Sequence, residues 1–290
     1  MVSDVLDREI ERSCRLQLLE LEKHFESDVI FFYGELRPGV DKLFRDAIER
    51  LKEEKENKLR LTIVINTPGG SVEIAEKLVI LTRYHYEEIN FIIPDSAMSA
   101  GTVWCMSGDK IYMDYSSALG PVDPQVYNGE HWVPALGYLD KVAELIQKSG
   151  GGGLSSAEAV MLTRVDLAEL RSYEQEKDLT ISLLKEWLVK YKFKNWTHHR
   201  TDLVKKGQSV TDDEKEERAE QIAKDLNDTG KWHTHGRSIC TCELVKLRLE
   251  IEDYSKQSAL QKLIRQYNDM LIGYIGRMGF NSFLHSRNYF

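Results

Sequence analysis

Cysteine is scarce. Four residues in 290, Cys14, Cys105, Cys240 and Cys242, are too few and too scattered to frame a fold with disulfides, and reduced thiols are the expectation. Long apolar runs are missing as well: no stretch approaches the roughly 18 uninterrupted residues that a bilayer-spanning helix needs, so no transmembrane segment is predicted. The opening MVSDVLDREIERSCRLQLLELEKHF has neither the basic head nor the apolar middle of a secretory signal. A cytoplasmic protein is therefore expected. No dense Lys/Arg stripe is present and the formal charge is -8, which argues against nucleic acid, because phosphate binding needs a basic surface.

What the chain has is the composition of a folded protein, with 42% hydrophobic and 30% charged residues, enough to build a sizeable core. Helical spacing of Val5, Leu6, Ile10, Leu16, Leu19 and Leu21 predicts a helix over 3–25. Short apolar runs at 28–34, 59–66, 89–94 and 110–114 read as buried strands, and helical patterns separate them at 40–54, 72–84 and 99–106. Strands alternating with helices imply an α/β core with a parallel sheet and right-handed crossovers. Beyond LGPVDPQV (119–126) the character changes and helices dominate from Gly137. SGGGGLSS (149–156) marks a flexible or tightly turning segment, 156–193 reads as one long helix or a helical pair, and Thr211 with Glu214 forms a capping box. Three regions follow: an N-terminal helix at 1–27, a core at 28–127 and a helical C-terminal region at 128–290.

Two strand ends carry the chemistry. In NTPGG, Asn66 to Gly70, Pro68 fixes one φ while Gly69 and Gly70 reach dihedrals closed to other residues, so the turn can direct backbone amides into open space above the sheet. One strand later comes SAMSAGT. A helix starting at Ser99 would hold the hydroxyl at the carboxyl edge of the sheet and leave the Ala100 amide among the unpaired donors of the first turn. A serine oxygen flanked by amides from Gly69 or Gly70 and from Ala100 meets the needs of acyl transfer.

INTPGGSVEIAEKL, SAMSAGT, SSALGPVDPQ and the later KWHTHGRSI together resemble the Clp-protease/crotonase-like superfamily, above all its serine dehydrogenase proteinase branch, related to signal-peptide peptidase A. The likeness extends over most of the chain. It implies a ClpP/crotonase-like parallel-sheet core and a serine peptidase acting on peptide or protein substrates. In that family the Pro-Gly-Gly turn supplies an oxyanion-hole amide and the serine before a small residue and glycine is the nucleophile, which transfers to Gly69, Gly70, Ala100 and Ser99. Ser96 is the fallback nucleophile. Self-assembly into a homo-oligomer is implied too. No cofactor and no metal are expected.

The general base departs from the Clp pattern. The proteolytic subunit of Clp places a histidine one strand after the nucleophile, and SSALGPVDPQV has none; His131 is the nearest downstream. The signal-peptide peptidase branch uses Ser-Lys dyads, in which burial lowers the pKa of an ammonium. Lys141, among Leu139, Val142 and Leu145, is the candidate base, with Lys110 and Asp123 as alternatives, Asp123 more as a turn or orienting residue. KWHTHGRSICTC gathers His233, His235, Cys240 and Cys242, but its spacings fit no usual zinc motif, and a structural or interface role is expected. Two other functions use the same scaffold: a crotonase-like enzyme acting on an acyl-thioester, and an assembly module that has lost its base.

Overall fold

The structure is a computed structural model that describes residues 2–54, 58–127, 130, 132–199 and 204–290. Along the chain the elements run α1 (Val2–Phe25), β1 (Asp28–Gly34), α2 (Val40–Lys52), β2 (Arg60–Asn66), α3 (Val72–His85), β3 (Glu88–Ile92), β4 (Ser96–Ala97), α4 (Ala100–Cys105), β5 (Lys110–Met113) and β6 (Ala118–Leu119). A hairpin of β7 (Gln125–Tyr127) and β8 (Trp132–Pro134) leads into α5 (Ala135–Gly151), α6 (Ser156–Thr163) and α7 (Leu167–Trp187), which ends in a π-helical turn, Leu188–Lys192. Then come α8 (Asp212–Asn227), α9 (Thr229–Trp232), α10 (Thr241–Lys246), β9 (Glu252–Asp253), α11 (Ser258–Met278) and β10 (Ser282–His285). The fold is α/β.

The main sheet has the order β10-β1-β2-β3-β5-β9, with β1, β2, β3, β5 and β9 parallel and β10 antiparallel to β1. Its strands are apolar on both faces because both are covered, as helical crossovers require. Alternation sorts their side chains between two cores: Ile63 and Ile65 with α2, α3 and α4, Val64 with α1 and α11. In α2 the buried residues Val40, Phe44, Ala47, Ile48 and Leu51 form one helical stripe. Ser71 caps α3 by accepting the Ile74 amide at 3.0 Å, which starts the helix directly after the glycine turn.

Both edge strands of the sheet come from the last fifth of the sequence. β9 lies in the region beyond Gly137 where the pattern predicts that helices dominate; its two residues are held by parallel pairing with Tyr112 and Met113, a tertiary contact with no local period. The expected capping box closes α8, with Glu214 N–H on Thr211 Oγ1 at 3.2 Å and Thr211 N–H on Glu214 Oε2 at 3.0 Å. The 156–193 segment is a helical pair, α6 and α7, rather than one helix. Among the described residues, no helix is long and apolar enough to cross a membrane.

Candidate active site

Two loops at the carboxyl edge of the sheet are sewn together by backbone. Thr67 N–H donates to Ser96 O, and Met98 N–H donates to Thr67 O, each at 3.0 Å. The glycine turn is pinned from its other side: Leu36 N–H donates to Gly69 O at 2.7 Å and Ser71 N–H to Leu36 O at 2.8 Å. In such an extended bridge successive amides face opposite ways. Gly69 O and the Ser71 amide face Leu36, so the Gly70 amide between them points away, and among the described residues it donates to no acceptor. The Gly69 amide is instead committed, donating to Thr67 Oγ1 at 3.1 Å.

Both glycines are required by conformation and by space. They hold φ of 108° and 131°. A Cβ at Gly70 would stand 2.4 Å from Leu36 O, and one at Gly69 would stand 2.7 Å from Ser99 Cβ. The turn therefore lies directly against Ser99. That serine precedes α4 at φ 52°, ψ -121°, a region non-glycine residues rarely occupy, and its hydroxyl takes no part in capping the helix. Ser99 is partly exposed, and the Ala100 amide, in the unpaired first turn, has no acceptor among the described residues. Ser96 sits in β4 against Ala118, outside this constellation.

A third loop and a fourth join the patch. Ala97 pairs with Leu119 in parallel, and Leu119 pairs with Ile239 in an antiparallel bridge. Thr102 Oγ1 reinforces the first junction, 2.7 Å from Ala97 O and accepting the Gly120 amide at 2.9 Å. Four residues beyond Leu119 stands Asp123, and four before Ile239 stands His235. Their side chains meet: His235 Nδ1 lies 2.9 Å from Asp123 Oδ1. The Asp123 side chain is 3% exposed and that of His235 is 23% exposed. The other carboxylate oxygen accepts Gln125 Nε2 at 2.7 Å. A buried carboxylate holding Nδ1–H fixes the tautomer and leaves Nε2 as the free lone pair, the arrangement a general base needs.

Lys141 is elsewhere in character. It lies on α5 with its side chain 59% exposed, and its ammonium pairs with Glu144 at 2.9 Å. Lys110 opens β5 at the amino edge of the sheet, the end opposite Ser99. His131 falls outside the described residues. The reading of reduced cysteines is corrected: Cys240 and Cys242 form a disulfide across a Cα separation of 5.4 Å, while Cys14 and Cys105 are free and buried.

His235 is the functional candidate that sequence reasoning set aside, and 112 residues separate it from Asp123. The available signal was that VDPQ and HTHG each sit in a motif that carries the family resemblance; nothing local shows that the two touch.

Residues 47–203 match the family profile of ClpP-like SDH-type serine proteinases, a span that includes Gly69, Gly70, Ser99, Ala100, Asp123 and Lys141 but ends before His235. Two uncharacterised proteins of Methanocaldococcus jannaschii are similar: one is 30% identical over 192 residues, 66% of this chain and 53% of the relative, the other 28% identical over 206 residues, 69% and 56%. The chain thus spans about half the length of the curated relatives it matches. Among solved structures, a serine-to-alanine mutant of the 1510-N membrane-bound stomatin-specific protease aligns at TM-score 0.45 and 13% identity, covering 80% of this chain and 81% of the other. A lysine-to-alanine mutant of the same protease, in complex with a substrate peptide, aligns at 0.32 and 20%, covering 42% and 58%. The profile spans more than half of the sequence, and the chain belongs to the ClpP-like SDH-type serine proteinases.

Proposed function

We propose that this chain hydrolyses peptide bonds with Ser99 as nucleophile, His235 as general base oriented by Asp123, and the Gly70 and Ala100 amides as oxyanion hole. The observation that carries the reading is the pair of uncommitted amides on either side of a strained, uncapped serine. Ser99 Oγ attacks the scissile carbonyl carbon and its proton passes to His235 Nε2. The carbonyl oxygen becomes an alkoxide that accepts hydrogen bonds from the Gly70 and Ala100 amides. Collapse breaks the C–N bond, His235 returns the proton to the leaving amine, and water repeats the sequence on the acyl-enzyme.

His235 is preferred to Lys141 because a lysine works as a base only when burial favours its neutral amine, and Lys141 is exposed and salt-bridged. Self-association belongs to the same reading: Ile146, Val160 and Met161 on α5 and α6 are each more than half exposed, an apolar arm that a second copy can cover.

Fluorophosphonate labelling of wild type and three variants tests the assignment. Ser99→Ala is expected to lose labelling with its fold intact. His235→Ala is expected to slow labelling by about 10²–10⁴, while Lys141→Ala labels normally. Persistent labelling of Ser99→Ala moves the nucleophile elsewhere, and selective loss in Lys141→Ala hands the base role to that lysine.

A further inference from the structure

The amino edge of the sheet, opposite Ser99, holds a second site. β2, β3, β5 and β9 open there with Arg60, Glu88, Lys110 and Glu252, which surround a cavity of about 240 Å³ beneath the end of α1 and the start of α11. Asn90, 2% exposed, lines this cavity. Its Nδ2 donates to Glu88 Oε1 at 3.2 Å, which fixes the amide's orientation, and its Oδ1 is buried with no hydrogen-bond partner. A buried carbonyl oxygen without a donor is uncommon in a folded protein and costs free energy until something supplies one.

The charges around it are half committed. Arg60 and Glu88 neutralise each other at 2.9 Å. Lys110 and Glu252 also face the cavity, and neither forms an ion pair among the described residues. Lys110 is the cross-strand partner of Asn90, and Glu252 that of Tyr112. Burial, with the charges of Glu252 and Glu88, pushes the Tyr112 hydroxyl up to about 12, so it stays a donor at neutral pH. Phe25 and Leu260 supply an apolar wall.

We propose that this cavity binds a small zwitterion, a free α-amino acid with an aliphatic side chain, its ammonium on Asn90 Oδ1 and Glu252 and its carboxylate on Lys110 and Tyr112. A simple anion would leave Glu252 and the Asn90 oxygen facing it unpaired. A simple cation would do the same to Lys110. A ligand with both charges pairs with all three groups at once: the buried Asn90 oxygen, the half-buried Glu252, which also interacts electrostatically with Lys192, and the exposed Lys110 at the rim. The inference is independent of the assignment of Ser99.

Titration calorimetry on the full chain tests it, with L-leucine as probe, N-acetyl-leucine and leucinamide as analogues lacking one charge, and inorganic phosphate as a plain anion. L-Leucine is expected to bind saturably, with both analogues at least about tenfold weaker. Asn90→Leu is expected to weaken binding by a similar factor; should that variant fold poorly, Glu252→Gln and Lys110→Gln, at the cavity rim, report on the same contacts. Absence of saturable binding at about 10 mM leucine, binding equal to that of either analogue, binding of phosphate alone, or affinity unchanged in Glu252→Gln and Lys110→Gln overturns the proposal.

Discussion

Ser99→Gly should make the protein more stable while abolishing its chemistry. At φ 52°, ψ -121° the serine Cβ sits in a conformation outside even the ordinary left-handed well, and it is in contact distance of the Gly69 backbone. Holding a non-glycine residue in such a region costs about 1–3 kcal/mol. Glycine removes that cost but adds about 0.5–1 kcal/mol through the entropy of the unfolded chain. The difference is a gain of about 0–2.5 kcal/mol. For a protein of this size it corresponds to a rise in Tm of up to roughly 4 °C. Ser99→Ala keeps the Cβ and therefore the strain, so it provides the control: equally inactive, with stability close to wild type. Equilibrium urea unfolding of the three proteins, with fluorophosphonate labelling in parallel, makes the comparison. If Ser99→Gly unfolds at lower denaturant than Ser99→Ala, the backbone at this position is not strained and its geometry cannot be a device for presenting the hydroxyl.

Further consequences concern the turn, the core and the C-terminal tail. Gly70→Ala forces a Cβ to 2.4 Å from Leu36 O at φ 131°, and we expect a loss of several kcal/mol, about 2 or more, together with loss of labelling; an unchanged urea midpoint would contradict it. Arg287 bonds Glu22, Asp28 and Glu54, and Glu22 and Asp28 are buried; Arg287→Met removes their shared cation, leaving Glu22 with Lys58 at 3.7 Å and Asp28 with the Tyr86 hydroxyl at 2.8 Å, and should cost about 3 kcal/mol in the same assay. His285 is buried with Tyr267 Oη 2.8 Å from its Nδ1, and desolvation pushes its pKa down from 6.5 to about 3. Between those values the unfolded chain binds a proton that the folded chain refuses. Stability present above pH 6.5 is therefore lost as pH falls toward 3, at up to about 1.4 kcal/mol per pH unit, and His285→Gln should flatten that part of the pH–stability curve.

The strands at 28–34, 59–66 and 110–114 were legible because a sheet covered on both faces needs near-continuous apolar runs, and the glycine turn and Ser99 were legible because each sits where such a run stops. The choice between the two glycine amides was not. Thr67 Oγ1 takes the Gly69 amide and the bridge to Leu36 turns the Gly70 amide outward, and neither contact leaves a mark on NTPGG itself. Lys141 has apolar sequence neighbours, yet on α5 only Ala135 and Leu145 are buried, so its surroundings in sequence are not its surroundings in space.

Local sequence alone determined where the chain could expose a hydroxyl beside free amides, since that depends on residues within a few positions of one another: proline and glycine dihedrals, a helix start, small side chains. The tertiary structure decided which distant side chains meet. Asp123 and His235 meet because Leu119 pairs with Ala97 on one side and Ile239 on the other, and a contact across 112 residues is a property of the packed sheet rather than of either loop.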